Sequence, residues 1–205
     1  MRQGCPLSPI LFNVYINEIF QIIDHNTNTH ITLNGINNIN GLMYADDLVI
    51  IGESQKVLQE KLNKLTEFCD TWGLKINTLK TKCMVLNRGN RLCILNIHVK
   101  GKNIENVKSF KYLGFTIGAK NCSFIKTPVD LSIKAKRAIF ALNNKIKLSL
   151  LPIRLALKIF MSQISPILLY GSEIWGPYLE SEYPSWDKSE TEKVFTQFLK
   201  RILGC

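Results

Sequence analysis

Residues Gly41-Leu42-Met43-Tyr44-Ala45-Asp46-Asp47-Leu48-Val49-Ile50-Ile51 set two adjacent carboxylates between two apolar runs. The pattern predicts strand, tight turn, strand, with the acids at the tip. Flanks this short and apolar predict a hairpin packed on a core, with Asp46 and Asp47 held rigidly at its edge. Two like charges so close repel each other, and a divalent cation relieves that repulsion. Hard carboxylate oxygens suit magnesium. A plain solvated turn accounts for the same residues, because Asp is common in turns. On these residues alone both readings stand.

The charge is unevenly placed. The chain of 205 residues carries a net +10. Residues 75–147 hold 16 Lys and Arg against only Glu105 and Asp130, whereas residues 1–74 are net acidic and residues 148–205 are neutral. A basic block nearly free of acids reads as a solvated surface or as a partner for a phosphate backbone. The near-absence of acids favours the backbone. A membrane partner is not expected, because the bases are spread over several elements and do not cluster beside an apolar span. Hydrophobic residues make up 46% and charged residues 20%, which excludes a disordered chain. The six cysteines, Cys5, Cys69, Cys83, Cys93, Cys122 and Cys205, form no CxxC or Cys/His cluster, so no zinc site is signalled. Reduced, mostly buried thiols are expected. The N-terminal residues lack a signal peptide's apolar segment, so an intracellular protein, nuclear or cytoplasmic and not secreted, is expected.

Along the chain, Arg2 to Pro9 reads as a stiff loop, followed by a helix with Ser8 as N-cap that runs to about His25 with broad, buried apolar faces. Asn34-Gly35 marks a hairpin. Ser54 caps a helix over about 55–72, with Leu58, Leu62, Leu65, Cys69 and Trp72 in one stripe and Gly73 as terminator. Strands are expected over Ile94–Val99 and Phe110–Ile117, with turns at Arg88-Gly89-Asn90 and Lys100-Gly101-Lys102. From about Thr127 long amphipathic helices take over: 128–148 with Lys134, Lys136 and Arg137, another from Pro152 that Ser165-Pro166 ends or kinks, and a last one over 187–203. The order predicts an α+β layer, helices on one face of a sheet, followed by an all-helical part, with the boundary near residue 122.

Arg2 to Pro9, Tyr44-Ala45-Asp46-Asp47, Gly73-Leu74-Lys75-Ile76-Asn77 with Lys80-Thr81, and Tyr112-Leu113-Gly114 follow one another in this order. Together they resemble the reverse transcriptases of non-LTR (LINE-type) retrotransposons. Leu168-Leu169-Tyr170-Gly171-Ser172-Glu173-Ile174-Trp175 resembles the region after the polymerase palm in these enzymes, and fits the LINE-type pattern better than a group II intron maturase or a telomerase. The resemblance implies an incomplete antiparallel palm over 1–122 and a helical thumb over 123–205. It implies Asp46 and Asp47 as metal-binding catalytic carboxylates for Mg2+ or Mn2+, with Asp46 the stronger ligand. Two metals would activate the primer 3′ hydroxyl and stabilise the leaving pyrophosphate. Tyr44 would pack beneath the primer end, and Gln3 and Gly4 would lie near the incoming deoxynucleotide and template. Lys80 is a candidate proton donor to pyrophosphate, or equally a phosphate-contacting or solvent lysine. Tyr112, Leu113 and Gly114 would grip the primer, and Lys134, Lys136 and Arg137 would hold the RNA–DNA hybrid.

Enzymes of the family carry a further metal-binding aspartate on a strand before the octet, and a fingers region before that. Met1 stands one residue ahead of the octet, and Asp24 does not match the missing position. The expectation is a partial RNA-directed DNA polymerase, inactive alone, with an unsatisfied slot in the palm sheet. The alternatives are a non-catalytic nucleic-acid-binding remnant, in which Asp46 is dispensable, and an expressed pseudogene product that folds poorly.

Overall fold

The computed structural model describes residues 5–24, 31–33, 36–87, 93–182 and 189–204. The expected turns at Asn34-Gly35 and Arg88-Gly89-Asn90 lie outside the described residues. The fold is α+β and falls into two compact units, 1–83 with 93–107, and 84–92 with 108–205.

The first unit is organised by one helix. Ser54 accepts a hydrogen bond from Val57 N, and α3 (Gln55–Thr71) follows. Gly73 takes a φ of +66°, and Leu74 N reaches back to Cys69 O (2.7 Å) to close the helix end. The α3 stripe buries Leu62, Leu65, Phe68 and Cys69 against Ile19 and Ile23 of α2 (Ile19–Asp24) and against Cys83, Ile97, Val99 and Ile104. Trp72, expected in the stripe, is exposed.

The long first helix is a correction. It breaks at Asn17-Glu18 into α1 (Ser8–Ile16) and α2, and Ser8 makes no cap. Within α1 only Ile16 is buried. Ile10, Leu11 and Val14, where burial was expected, are 58–70% exposed. Tyr15 anchors α1, its ring edge-on to Trp72 at 5.1 Å and its hydroxyl donating to the Trp72 carbonyl.

The single antiparallel sheet is also not what forms. Among the described residues the strands pair only two by two: β1 (Ile31–Leu33) with β2 (Ile36–Ile39), β3 (Gly41–Tyr44) with β4 (Asp47–Ile50), β5 (Lys82–Cys83) with β8 (Glu105–Asn106), β6 (His98–Val99) with β7 (Lys102–Asn103), and β9 (Ser109–Tyr112) with β10 (Phe115–Gly118). The β5–β8 pair is parallel. Side chains explain why the expected 94–99 strand shrinks to His98–Val99. The Gln55 amide both donates to and accepts from the Asn96 backbone (3.3 and 3.2 Å), Gln59 does the same at His98 (2.9 Å each), and Asn106 at Leu95 (2.8 and 3.0 Å). Backbone groups that a neighbouring strand would satisfy are taken by amide side chains.

In the second unit α4 (Lys126–Ile146) lies on α8 (Glu190–Leu203) and on α6 (Ser165–Leu168). Ala135, Ile139, Phe160, Ile164, Leu168, Val194 and Phe198 are among the residues of its main core. Thr116 of β10 is pinned to the start of α4: its N–H donates to Thr127 Oγ1 (2.9 Å) and its hydroxyl to Asp130 Oδ2 (2.7 Å). Pro166 has no N–H and crowds the preceding turn, and α5 (Ile153–Ile159) accordingly widens into a π-helical turn over Phe160–Ile164 before α6. After α6 the chain turns into α7 (Ser172–Glu182). No single described helix is long and apolar enough to cross a membrane. The bent pair Ile153–Leu168 and Ser172–Leu179 is apolar enough in composition, and its Ala156, Phe160, Ile164, Leu168, Trp175 and Leu179 are buried within the unit.

Free thiols are less uniformly buried than expected. Cys69 and Cys83 are buried, but Cys5 and Cys93 are exposed. Burial raises the Cys69 thiol pKa, whereas a hydrogen bond from the Leu7 backbone lowers that of Cys5.

If the amide pairing carries the 95–98 segment, Gln59→Ala leaves both His98 groups without that partner. Urea unfolding should show a loss of about 1–3 kcal/mol, against a change within about 0.5 kcal/mol for Lys56→Ala on the exposed face.

Candidate active site

The hairpin forms as a two-residue connection. Tyr44 pairs with Asp47 across the ladder, followed by Met43 with Leu48, Leu42 with Val49, and Gly41 with Ile50. Ala45 and Asp46 make the turn, with Ala45 at a φ of +51°. The two acids therefore differ in position: Asp46 is a turn residue, and Asp47 is the first residue of β4. Both carboxylates are exposed. The period of two sorts the remaining side chains. Met43, Leu48 and Ile50 pack on the core around α2 and α3. Leu42 and Tyr44 face outward with Asp47, 50% and 66% exposed. The hairpin is packed on one face only.

Two features hold it to that core. A Cβ on Gly41 would lie 2.4 Å from Val49 O and 2.7 Å from Phe20 Cε1, so the strand approaches closer than any other residue allows. At the hairpin's open end Ile51 N donates to Asn40 O (2.9 Å). There the Lys61 ammonium of α3 donates to Asn40 Oδ1 (2.8 Å) and to Ile51 O (2.9 Å). Lys61 is 1% exposed, and Asn40 is buried as well. Sequence reasoning missed Lys61. Its signal was present, because position 61 lies three after Leu58 and four before Leu65, on the apolar stripe.

The other expected site residues are distributed. Gln3 and Gly4 lie outside the described residues. Lys80 sits exposed in a turn in which the Asn77 side chain accepts from Leu79 N and Lys80 N (3.2 Å each). Among the described residues no hydrogen bond or ion pair joins Lys80 to Asp46 or Asp47. Tyr112, Leu113 and Gly114 form the tip of the β9–β10 hairpin, in the second unit. Lys134, Lys136 and Arg137 are exposed on α4. At 3.6 residues per turn Lys126, Lys134, Arg137 and Lys145 share one helix face, with Lys136 at its edge. Ile133 and Phe140, 46% and 63% exposed, lie within that face and went unremarked in the sequence. An aromatic ring among bases suits stacking on a nucleobase. Lys136 also lies near Glu190 of α8, whose pKa is lowered chiefly by its hydrogen bond from Lys193 (2.7 Å).

Lys61→Met would remove the ammonium that donates to one buried and one part-buried acceptor. It should cost about 2–4 kcal/mol in chemical denaturation, and it should raise amide exchange through residues 41–50. Gly41→Ala should loosen the same segment, because the atom it meets is backbone.

The family model described as reverse transcriptase (RNA-dependent DNA polymerase) matches residues 1–117. Over 198 residues, 88% of this chain, the sequence is 26% identical to a probable RNA-directed DNA polymerase from transposon BS of Drosophila melanogaster. It is 30% identical over 143 residues, 67% of the chain, to an uncharacterized transposon-derived protein of Caenorhabditis elegans. It is 29% identical over 151 residues, again 67% of the chain, to the retrovirus-related Pol polyprotein of the type-2 retrotransposable element R2DM of Drosophila melanogaster. The matches span 20%, 49% and 13% of these relatives' own lengths. No solved structure matches the chain significantly. With its Asp-Asp hairpin in the matched region, the chain belongs to the reverse transcriptase family of non-LTR, LINE-type retrotransposons.

Proposed function

We propose that this chain is part of an RNA-directed DNA polymerase, palm over 1–122 and thumb over 123–205, whose Asp46 and Asp47 hold a divalent cation during nucleotide addition. The observation that carries this reading is the hairpin itself. One face is fastened to α2 and α3, and two exposed carboxylates stand at its crest. Paired hard-oxygen donors with no ion pair to a described residue fit Mg2+ or Mn2+, which keep water and phosphate oxygens among their ligands. Bound there, the cation would supply charge stabilisation to the attacking hydroxyl and the leaving pyrophosphate.

The chain's own residues position the reactants. Tyr44 and Leu42 offer an apolar face beside Asp47 for the primer terminus. Tyr112, Leu113 and Gly114 contact the primer strand, and Gln3 and Gly4 approach the deoxynucleotide and template. Lys80, solvated and uncommitted to either carboxylate, serves pyrophosphate or phosphate. Lys134, Lys136 and Arg137 neutralise the backbone of the RNA–DNA hybrid, with Phe140 available to stack. The partners are an RNA template, a DNA primer and deoxynucleotides, met inside the cell in nucleus or cytoplasm, with no membrane involved.

Among the described residues no third acid, His or Cys joins the aspartates in a group that could hold a metal. The exposed apolar side of α1 and the two-stranded β3–β4 ladder are faces a further palm element would cover. These open faces support a site completed by a further element. They also give weight to a second reading, a non-catalytic hybrid-binding remnant.

Mn2+ titration by NMR should broaden residues 44–48 in the wild type and leave them sharp in Asp46→Asn/Asp47→Asn; broadening that ignores the substitutions would remove the metal site. Primer extension by the 205-residue chain with Mg2+ or Mn2+ should yield no processive product, and such a product would refute incompleteness. Hybrid binding should weaken with salt at several log–log units, and neutralising Lys134, Lys136 and Arg137 together should lower the slope by about 2–3. A flat salt response would end the nucleic-acid reading.

A further inference from the structure

Within the Leu168–Trp175 segment, Tyr170 packs on the β9–β10 hairpin. At the β9–β10 tip Leu113 and Gly114 are the two connecting residues, with φ of +48° and +89°. Both positive values mark the type I′ turn, where Asn-Gly is the favoured pair. Leucine in the left-handed region is costly, so something outside the hairpin must hold it there. That support comes from Tyr170, 57 residues onward. Its hydroxyl donates to Leu113 O (3.1 Å), and its ring stacks on Phe115 with centroids 5.6 Å apart and planes at 28°.

The glycines are where the two segments touch. A Cβ on Gly114 would come within 2.9 Å of Tyr170 Cε1. A Cβ on Gly171, itself at a φ of +63°, would come within 2.3 Å of Phe115 Cζ. Behind them Trp175 is fully buried among Leu131, Leu179, Phe115 and Phe124, and its indole N–H donates to Tyr170 O (2.8 Å). The tryptophan therefore fixes the tyrosine backbone, and the tyrosine side chain fixes the turn.

We infer that Tyr170, Gly171 and Trp175 form a latch that sets the conformation in which the Leu113-Gly114 turn meets the primer strand; they are positioning residues and touch no reacting atom. The inference rests on the primer-contact reading of that turn. The latch itself rests only on the contacts above.

Tyr170→Phe keeps the stacked ring and removes the hydroxyl. The 205-residue chain and this variant are compared by hydrogen exchange over residues 110–117, and by the ratio of affinities for recessed-3′-end and blunt RNA–DNA hybrids. Exchange at the turn should rise about fivefold, the factor one neutral hydrogen bond is worth, with exchange over 126–146 unchanged. The recessed-end preference should fall by a similar factor. Unchanged exchange at the turn overturns the latch. Faster exchange with an intact end preference overturns its positioning role. A wild-type chain with no end preference overturns the primer-contact reading, while the exchange result still decides the latch. Gly171→Ala, which drives a Cβ into Phe115, should reproduce the faster exchange, and failure to do so counts against the latch.

Discussion

A lysine ammonium buried in an apolar core is expensive to desolvate unless its hydrogen bonds are met. Lys61 meets them with the Asn40 side chain and the Ile51 carbonyl, the two residues that flank the hairpin's open end. An isolated two-stranded hairpin is marginal in water, so β3 and β4 need an external frame to keep one geometry. Met43, Leu48 and Ile50 supply area, which has no direction. The ammonium supplies direction, because it must sit between two acceptors 11 residues apart in sequence. The positions of Asp46 and Asp47 at the crest depend on that frame.

The second unit applies the same economy at another hairpin. The β9–β10 turn carries a leucine where the backbone prefers asparagine, and a tyrosine from beyond the long helix holds it. In both places a local conformation that the hairpin does not secure by itself is secured by a hydrogen bond from a distant helix or turn. Sites built on such supports keep their geometry while their outward faces stay polar or exposed. That matches the exposed carboxylates at the Asp46-Asp47 crest, whereas the Leu113-Gly114 turn is half-buried.

Bases and apolar residues on α4 are separated by helical period alone. Ala135 and Ile139 face α8 and the rest of the core, while Lys134 and Arg137 face out. The exposed Phe140 and Ile133 interrupt what would otherwise be a continuous stripe of charge. The exposed apolar side of α1 is a different case. It carries no charge, and its apolar area stays open to water.

Hairpin, capped helix and basic amphipathic helix were legible in the sequence because each is a short-range pattern. Alternation around Asp46-Asp47, Ser54 and Gly73 bracketing a stripe, and a 3.6-residue period from about residue 127 all act within a turn or two. The family was legible because its motifs are local strings. What the tertiary structure decided depends on partners far apart in the chain. Gln55, Gln59 and Asn106 take over the backbone of a segment that reads as a strand. The contacts of Tyr15 with Trp72 and the burial of Ile19 and Ile23 set which face of the first helical region turns to the core. Lys61 is buried although its residue type predicts exposure, and Tyr170 reaches across 57 residues to a turn. A local pattern fixes which conformations are cheap, but the satisfaction of buried polar groups is a condition on the whole fold, and only the assembled chain shows which group meets which.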